Sequence, residues 1–285
     1  MIENFLSSWP LFQNAYLSGW LIAILLAIIG VFVVARDQIF IGAAVSQASL
    51  LGISIGIWLG SRLTLDETHW WRSEVFHSLM GGCFAIIAAL LTARGEKTAG
   101  RETHEAITGW VFLFAMSMSI LLMAHSPHGL EEVNRLLSST IIGATQTDVG
   151  IFSVMTTVTI ILLSFYHRQA LLVILDPEMA RAVGLRVEIW EGAYAFWLGA
   201  IVGFSIHVSG VIYAFACLVL PPLAAKNISR DVHTLFVISP VLALSSGIVA
   251  FVLANHYDYP PGQMATTCLC CVVLIMWGFR YIRTQ

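Results

Sequence analysis

Residues 15–35 read AYLSGWLIAILLAIIGVFVVA, an apolar run without a single charged side chain. A helix needs about 20 mainly apolar residues to cross the hydrocarbon core of a bilayer. The sequence therefore predicts an all-α, polytopic transmembrane helical bundle in which residues 1–285 form one transmembrane domain. Comparable runs recur along the chain, and we predict nine spans at 15–35, 39–60, 75–93, 106–124, 149–166, 189–208, 210–225, 234–254 and 262–280.

The overall composition supports a protein that works inside a lipid bilayer. Hydrophobic residues make up 58% of the chain and charged residues only 11%, whereas a soluble domain is about 25% charged. The predicted outer loops 61–74, 125–135 and 255–261 are too short to form a further domain. No basic patch with interleaved aromatic residues occurs, so nucleic acid is not an expected partner. No Gly-x4-Gly-Lys-Ser/Thr sequence occurs either, so the chain is not expected to bind ATP by a P-loop.

Two segments depart from the regular pattern of spans. Only Val208-Ser209-Gly210 separates the sixth and seventh spans, which predicts a broken pair of helices. Residues 136–144 (LLSSTIIGA) are apolar but too short to cross a membrane. They predict a short re-entrant or interfacial helix, which is tolerated where it is buried in protein or lines a cavity.

The distribution of lysine and arginine predicts the orientation, because these residues are enriched in cytoplasmic loops. The C-terminus is predicted to be cytoplasmic and, with nine crossings, the N-terminus to lie outside. One side carries only Arg62, Arg72 and Arg135. The other, which we assign to the cytoplasm, carries Arg36, Arg94, Lys97, Arg101, Arg168, Arg181, Arg186, Lys226, Arg230, Arg280 and Arg283.

The cysteines and histidines are candidates for metal ligands, but neither set forms a recognisable site. Five cysteines in apolar segments argue against a secreted disulfide framework and favour packing between helices. The alternative is a soft-metal site from Cys268, Cys270 and Cys271. Outer-side histidines could pass on a metal or could simply be solvated. They are His69, His77, His125, His128 and His256, of which His125 and His128, together with the intramembrane His207, are the weak metal candidates.

The second span is rich in small and polar residues. Gly42, Ser46 and Ser49 share one face of a helix, which is typical of close helix packing through small residues. The alternative is a pore-lining helix whose Ser46 and Gln47 face the pathway. Carboxylates fall at span ends, as at Asp37, Asp148, Asp176 and Asp258, and this placement weighs against a proton- or sodium-coupled transporter.

Residues 176–187 predict a short surface helix on the cytoplasmic side. Asp176 suits the N-cap, Pro177 the first helical position, and Glu178 the positive end of the helix dipole. Ala180 and Ala182 would leave a low-profile surface, and Gly184 suits the C-terminus. Such a helix could dock in a groove of another protein, although an ordinary loop helix would have the same pattern.

Taken together, these segments resemble the permease subunits of ABC importers for zinc, manganese and iron(II). The resemblance runs from Gly19 to about Gly278. It implies two permeases side by side, a pair of cytoplasmic ATPases that bind the ATP, and an extracytoplasmic metal-binding protein, in a bacterial cytoplasmic membrane. The chain itself would be a non-catalytic transport subunit without a bound cofactor, and 176–187 would be the coupling helix. The matching stretches are Gly30–Arg36 (GVFVVAR), Asp176–Leu185, Gly210 with Leu218–Ala225, Ser245-Ser246-Gly247 and Tyr259-Pro260-Pro261-Gly262.

The second span departs from this resemblance. The family usually carries Gly-Asp-Ala-x-Ser-His-Ala-x-Leu-Pro-Gly there, and its Asp and His are thought to coordinate the passing metal. The aligned positions here are Ala43 and Gln47, which are poor ligands for Zn²⁺ or Mn²⁺. Three explanations follow: a sister permease keeps the ligands, the pathway needs only a cation-tolerant lining from Ser46, Gln47 and His207, or the cargo is not a free divalent metal.

Other classes of function stay open at this point. An intramembrane hydrolase would need a nucleophile and a base facing each other, and Ser46 has no convincing histidine partner in the sequence. A membrane scaffold that supports a ligand-bearing sister permease is the main alternative to an importer subunit. A secondary transporter ranks third.

Overall fold

The computed structural model describes residues 2–63, 70, 73–124, 141–229 and 231–284. Throughout these ranges the secondary structure is helical and no strand occurs, which confirms the predicted all-α class. A 3₁₀ turn covers Ile141–Gly143. The α-helices are α1 (Ile2–Ala35), α2 (Ile39–Leu63), α3 (Glu74–Ala124), α4 (Gln146–Leu175), α5 (Pro177–Ala182), α6 (Val187–Ser209), α7 (Val211–Lys226), α8 (Val232–Tyr257) and α9 (Pro261–Thr284).

Within the described ranges, eight helical segments are long and apolar enough to cross a membrane. The remaining predicted span, the seventh at 210–225, corresponds to α7, which has only 16 residues. The predicted break between the sixth and seventh spans is confirmed, because α6 ends at Ser209 and Gly210 adopts a φ of 81°. Of the predicted short helix 136–144, the described part forms only the 3₁₀ turn, and residues 136–140 lie outside the described ranges.

Helix α1 begins at Ile2, much earlier than the predicted start at residue 15, and it is kinked. The rings of Phe5 and Tyr16 stack with their centroids 4.7 Å apart. In a straight helix these residues would be about 17 Å apart along the axis. Pro10 lies between them, and an internal proline removes a backbone hydrogen bond and bends a helix. The Phe5–Tyr16 stack therefore bridges this kink.

Helix α3 has 51 residues and carries two apolar segments, Glu74–Ala93 and Glu105–Ala124. It cannot be straight. Gly52 of α2 lies against Met80 near its start, and Phe40 of α2 contacts Phe112 near its end, with ring centroids 5.3 Å apart. The two α3 positions would be about 48 Å apart in a straight helix, whereas the α2 positions span only about 18 Å. The helix therefore bends between the two apolar segments, which match the two predicted spans.

The packing contacts divide the chain into two compact units. Unit 1 comprises Met1–Asp37, Ser138–Phe165 and Val208–Gln285. Its helices α1 and α7 approach closely at Gly30, where an added methyl group would overlap the carbonyl oxygen of Leu218. Two buried hydroxyl groups also donate to carbonyl oxygens of α1: Tyr213 Oη to Gly19 at 2.9 Å, and Ser239 Oγ to Ala27 at 3.0 Å. Small residues and satisfied hydroxyls are what helix packing in lipid favours.

One end of unit 1 brings together residues that the charge distribution assigns to the cytoplasmic side. Lys226 Nζ lies 2.9 Å from Asp37 Oδ1, which links the end of α7 to the end of α1. Arg280 Nη1 donates to Asn227 Oδ1 at 3.2 Å. These contacts are exposed, so they contribute little to stability. Their proximity is consistent with the prediction that these loops share one side of the membrane.

Unit 2 comprises Gln38–Leu137 and Tyr166–His207, and glycines again set its helix approaches. A methyl group at Gly52 of α2 would overlap the carbonyl oxygen of Met80 in α3. A methyl group at Gly203 of α6 would lie 2.6 Å from Cα of Gly82 in α3. Both α2 and α6 therefore pack closely on the first apolar segment of α3.

Candidate transport pathway and coupling segment

The predicted pathway residues Ala43 and Gln47 lie one turn apart on α2, and both are half-buried. Ser46 is only 1% exposed and Ser49 is fully buried. Ser49 packs towards α3, because its Oγ would lie 3.1 Å from a methyl group added at Gly81. Ser49 therefore takes part in the small-residue packing that the sequence allowed, while Ala43 and Gln47 occupy a different face.

The face that carries Ala43 and Gln47 presents neutral oxygen atoms. Gln47 Oε1, Ser46 Oγ and Ser54 Oγ are buried, and none has a hydrogen-bond partner within the described ranges. Gln47 and Ser54 are seven residues apart, so they share one side of the helix. Unpaired buried oxygens are costly, so they are candidates for contact with a polar or hydrated cargo. They offer carbonyl and hydroxyl ligands without a charge.

No preformed metal centre is present among the described residues, since no three His, Cys, Asp or Glu side chains converge there. His207 is half-buried in the last turn of α6. The three clustered cysteines of α9 do not form a soft-metal site, and Cys270 and Cys271 point outward. The candidates His125 and His128 lie outside the described ranges.

The predicted coupling segment forms a helix that is capped by hydrogen bonds at both ends. Asp176 Oδ1 accepts a hydrogen bond from the Met179 backbone N–H at 2.9 Å, as an N-cap does. At the other end, the N–H of Leu185 donates to the Ala180 carbonyl and that of Gly184 to the Arg181 carbonyl, each at 3.0 Å. With Gly184 at a φ of 86°, this pair of bonds is a Schellman motif.

The helix is shorter than the predicted 176–187 because this motif ends it. Helix α5 stops at Ala182, and α6 starts at Val187. Gly184 takes up the left-handed backbone conformation between them. Residues 176–187 therefore form a six-residue helix followed by a tight turn, and not the single helix that the sequence predicts.

One part of the predicted coupling surface is wrong: Ala180 does not belong to it. Ala180 is fully buried against Val173 of α4 and Val187 of α6, and Leu185 packs against the same cluster. Its small size allows α5 to lie close to both helices. The surface that faces outward instead carries Glu178 and Ala182.

Two apolar side chains on the outward surface of α5 were missed by sequence reasoning. Met179 is 53% exposed and Val183 is 63% exposed. They are four residues apart, so their exposed side chains lie next to each other on the helix surface, to one side of the buried Ala180. That spacing was the available signal, and it describes a small apolar patch suited to a partner's groove.

A buried carboxylate was also missed. Glu191 of α6 is 8% exposed, although it lies only two positions inside the predicted span 189–208. It lies one turn after the buried Val187 and one turn before the buried Ala195, on the inward side of the helix. The spacing of these apolar neighbours was the signal that could have located it.

The comparisons with known proteins agree with this architecture. The profile of the ABC 3 transport family matches residues 8–280. The chain is 23% identical to the "Probable metal transport system membrane protein" of Thermotoga maritima, over 91% of this chain and 86% of that protein. It is 21% identical to the "Manganese import system permease protein ScaB" of Streptococcus gordonii, over 92% and 90%.

A solved structure, PsaBC from Streptococcus pneumoniae in complex with Fab, shares the fold. Its TM-score with this chain is 0.79 at 18% identity, and the match covers 97% of this chain and 95% of that chain. The family match extends over almost the whole chain, from the first turns of α1 into the last turns of α9. The protein therefore belongs to the ABC 3 transport family.

Proposed function

We propose that this chain is the membrane-spanning permease subunit of an ATP-driven importer that moves a divalent metal ion, manganese, zinc or iron(II), across a bacterial cytoplasmic membrane by alternating access. The family match over residues 8–280 carries the proposal. The names of the relatives from Thermotoga maritima and Streptococcus gordonii supply the class of cargo. The expected partners are a cytoplasmic ATPase, a second permease and an extracytoplasmic metal-binding protein.

Helix α5 is the element through which an ATPase would act. It is exposed, closed by hydrogen bonds at both ends, and tied through Ala180 to α4 and α6. A displacement of α5 would therefore move the adjoining ends of both helices. The energy would come from ATP bound to the partner, and a ligand shifts such an equilibrium only by binding the two states differently.

Reconstitution tests this function. The chain is co-expressed with its ATPase and any sister permease, inserted in liposomes, and supplied with the metal-binding protein and ATP. We expect ATP-dependent uptake of one of Mn²⁺, Zn²⁺ or Fe²⁺, measured by elemental analysis of the washed vesicles. Vesicles given a non-hydrolysable ATP analogue serve as the control. An assembled complex that moves none of the three metals would contradict the proposed cargo, and a chain that recruits no ATPase would contradict the proposed class.

A second candidate function is that of a permease half that supports a ligand-bearing sister permease. The specific observation is the lining of α2, where Ala43 and Gln47 present no ionisable group. Neutral oxygens bind divalent transition metals weakly in comparison with carboxylate and imidazole. In that case the sister chain would bind the metal, and this chain would complete the pathway.

The double variant Ala43→Asp/Gln47→His tests whether this face of α2 lines the metal pathway, which both possibilities assume. The two positions are one turn apart on one face, so a carboxylate and an imidazole placed there can ligate a single ion. We expect metal retention by the purified complex to rise at least about tenfold, measured by equilibrium dialysis with ⁵⁴Mn²⁺. The single variant Ala43→Ser is the control. Unchanged retention would show that this face of α2 does not line the metal pathway.

A further inference from the structure

Glu191 is an ionisable side chain that is buried within a membrane-spanning segment. It lies in α6, a span whose other acidic residue, Glu188, is in the first turn and is 65% exposed at the side chain. The positive end of the helix dipole stabilises an acid only within that first turn. Glu191 lies beyond it and is 8% exposed. Ionisable residues inside membrane spans are rare and commonly mark ion pathways.

A second oxygen ligand lies at the same level on the neighbouring helix. The cluster of Val173 and Val187 sets the antiparallel register of α4 and α6. The rings of Tyr166 and Trp190, 5.6 Å apart, also join α4 to α6 and agree with that register to within about one turn. One turn from Val173 is Gln169, and one turn from Val187 is Glu191, so the two residues lie within about one turn of the same level.

The Gln169 amide oxygen is buried, and within the described ranges nothing hydrogen-bonds to it. A buried amide oxygen without a donor is an energetic cost, and it is removed when a cation is bound. Carboxylate and amide oxygens are the ligands that hard divalent cations such as Mg²⁺ and Mn²⁺ prefer, with water completing the shell.

We propose that Glu191, together with the amide oxygen of Gln169, forms a divalent-cation site at the end of unit 2 next to α5. The site provides the formal negative charge that Ala43 and Gln47 lack. With one carboxylate and one amide it binds weakly and releases its ion readily, as a transit site requires. Its position beside Val173, Val187 and Ala180 places it where a movement of α5 would alter the spacing of its ligands. The identity of the ion as cargo rests on the proposed function.

Titration with MnCl₂ tests the site in the intact, nucleotide-free complex of permease and ATPase in detergent. Electron paramagnetic resonance measures free Mn²⁺ directly, and bound Mn²⁺ is obtained by difference. We expect Glu191→Gln to weaken Mn²⁺ binding by about tenfold or more, since even outer-shell changes at metal sites cost 10- to 100-fold. Glu188→Gln, a matched change one turn away on the exposed side, should leave the titration unchanged.

The variant Gln169→Leu provides a second readout in case Glu191→Gln fails to assemble, and it should also weaken binding. Equal Mn²⁺ titrations for the wild type, Glu191→Gln and Gln169→Leu would overturn the site, as would the absence of any bound Mn²⁺ in the wild type. Uptake in liposomes is scored separately. Import with unaltered Mn²⁺ binding in the variants would refute the site alone, while Glu191-dependent binding without import would refute only the proposed function.

Discussion

Replacing Gly30 by alanine is expected to lower the melting temperature of the purified protein by about 6–12 °C. The added methyl group would overlap the carbonyl oxygen of Leu218 and lie 3.0 Å from Cγ of Pro222. Neither a backbone carbonyl nor a proline ring can rotate aside, so α1 and α7 must separate. Overpacking of this kind costs about 3 kcal/mol, which corresponds to that shift for a chain of this size.

The control is Gly278→Ala in α9. A methyl group at Gly278 would have no described heavy atom within 4 Å. Alanine is the better helix former by about 1 kcal/mol, so this variant should melt at the same temperature as the wild type or higher. The measurement is thermal unfolding in detergent, followed by intrinsic fluorescence. Equal melting temperatures for the two variants would contradict the close approach of α1 and α7.

The double variant Met179→Ser/Val183→Ser is expected to weaken capture of the ATPase about 30- to 150-fold. About half of each side chain is exposed on α5, and burying that part in a partner's groove contributes about 1–1.5 kcal/mol per residue. A combined loss of about 2–3 kcal/mol gives this factor in affinity. Binding of labelled ATPase to the permease in nanodiscs, measured by fluorescence anisotropy, checks the prediction.

This experiment needs a control for the loss of exposed apolar area as such. Ile228→Ser removes a side chain that is 40% exposed, near the end of α7, and it should leave ATPase binding unchanged. Both variants should keep the melting temperature of the wild type, because the substituted side chains are not in the core. Undiminished ATPase binding by the double variant would show that the partner does not dock on this face of α5.

The helical spans were predictable because their main determinant, a run of about 20 apolar residues, is local. The ends of the helices were not. Helix α4 continues to Leu175 although hydropathy ends the predicted span at 166, and α1 begins at Ile2. Hydropathy reports depth in the membrane, whereas helix ends depend on caps and packing. The Phe5–Tyr16 stack across Pro10 is a contact between residues eleven positions apart, which no local pattern encodes.

The ends of the coupling helix were predictable from the sequence, because particular residue types are favoured at helix ends. Asp176, Pro177 and Gly184 have the roles that their residue types favour at helix ends. The outward face of α5 was not predictable, because the burial of Ala180 depends on how α4 and α6 converge. Glu191 was missed for the same reason: a residue two positions inside a predicted span counts as a span end until its neighbours are known.

The burial of Ala180 between α4 and α6 affects how α5 transmits a movement. A six-residue helix attached only through its two chain connections could move without moving its neighbours, because the connecting residues would bend. Here the methyl side chain of Ala180 is fully buried in a cluster with Val173 and Val187, and close-packed contacts have low compressibility. We therefore expect a displacement applied at the outer face of α5 to reach both α4 and α6, rather than to be absorbed by bending of the connecting residues.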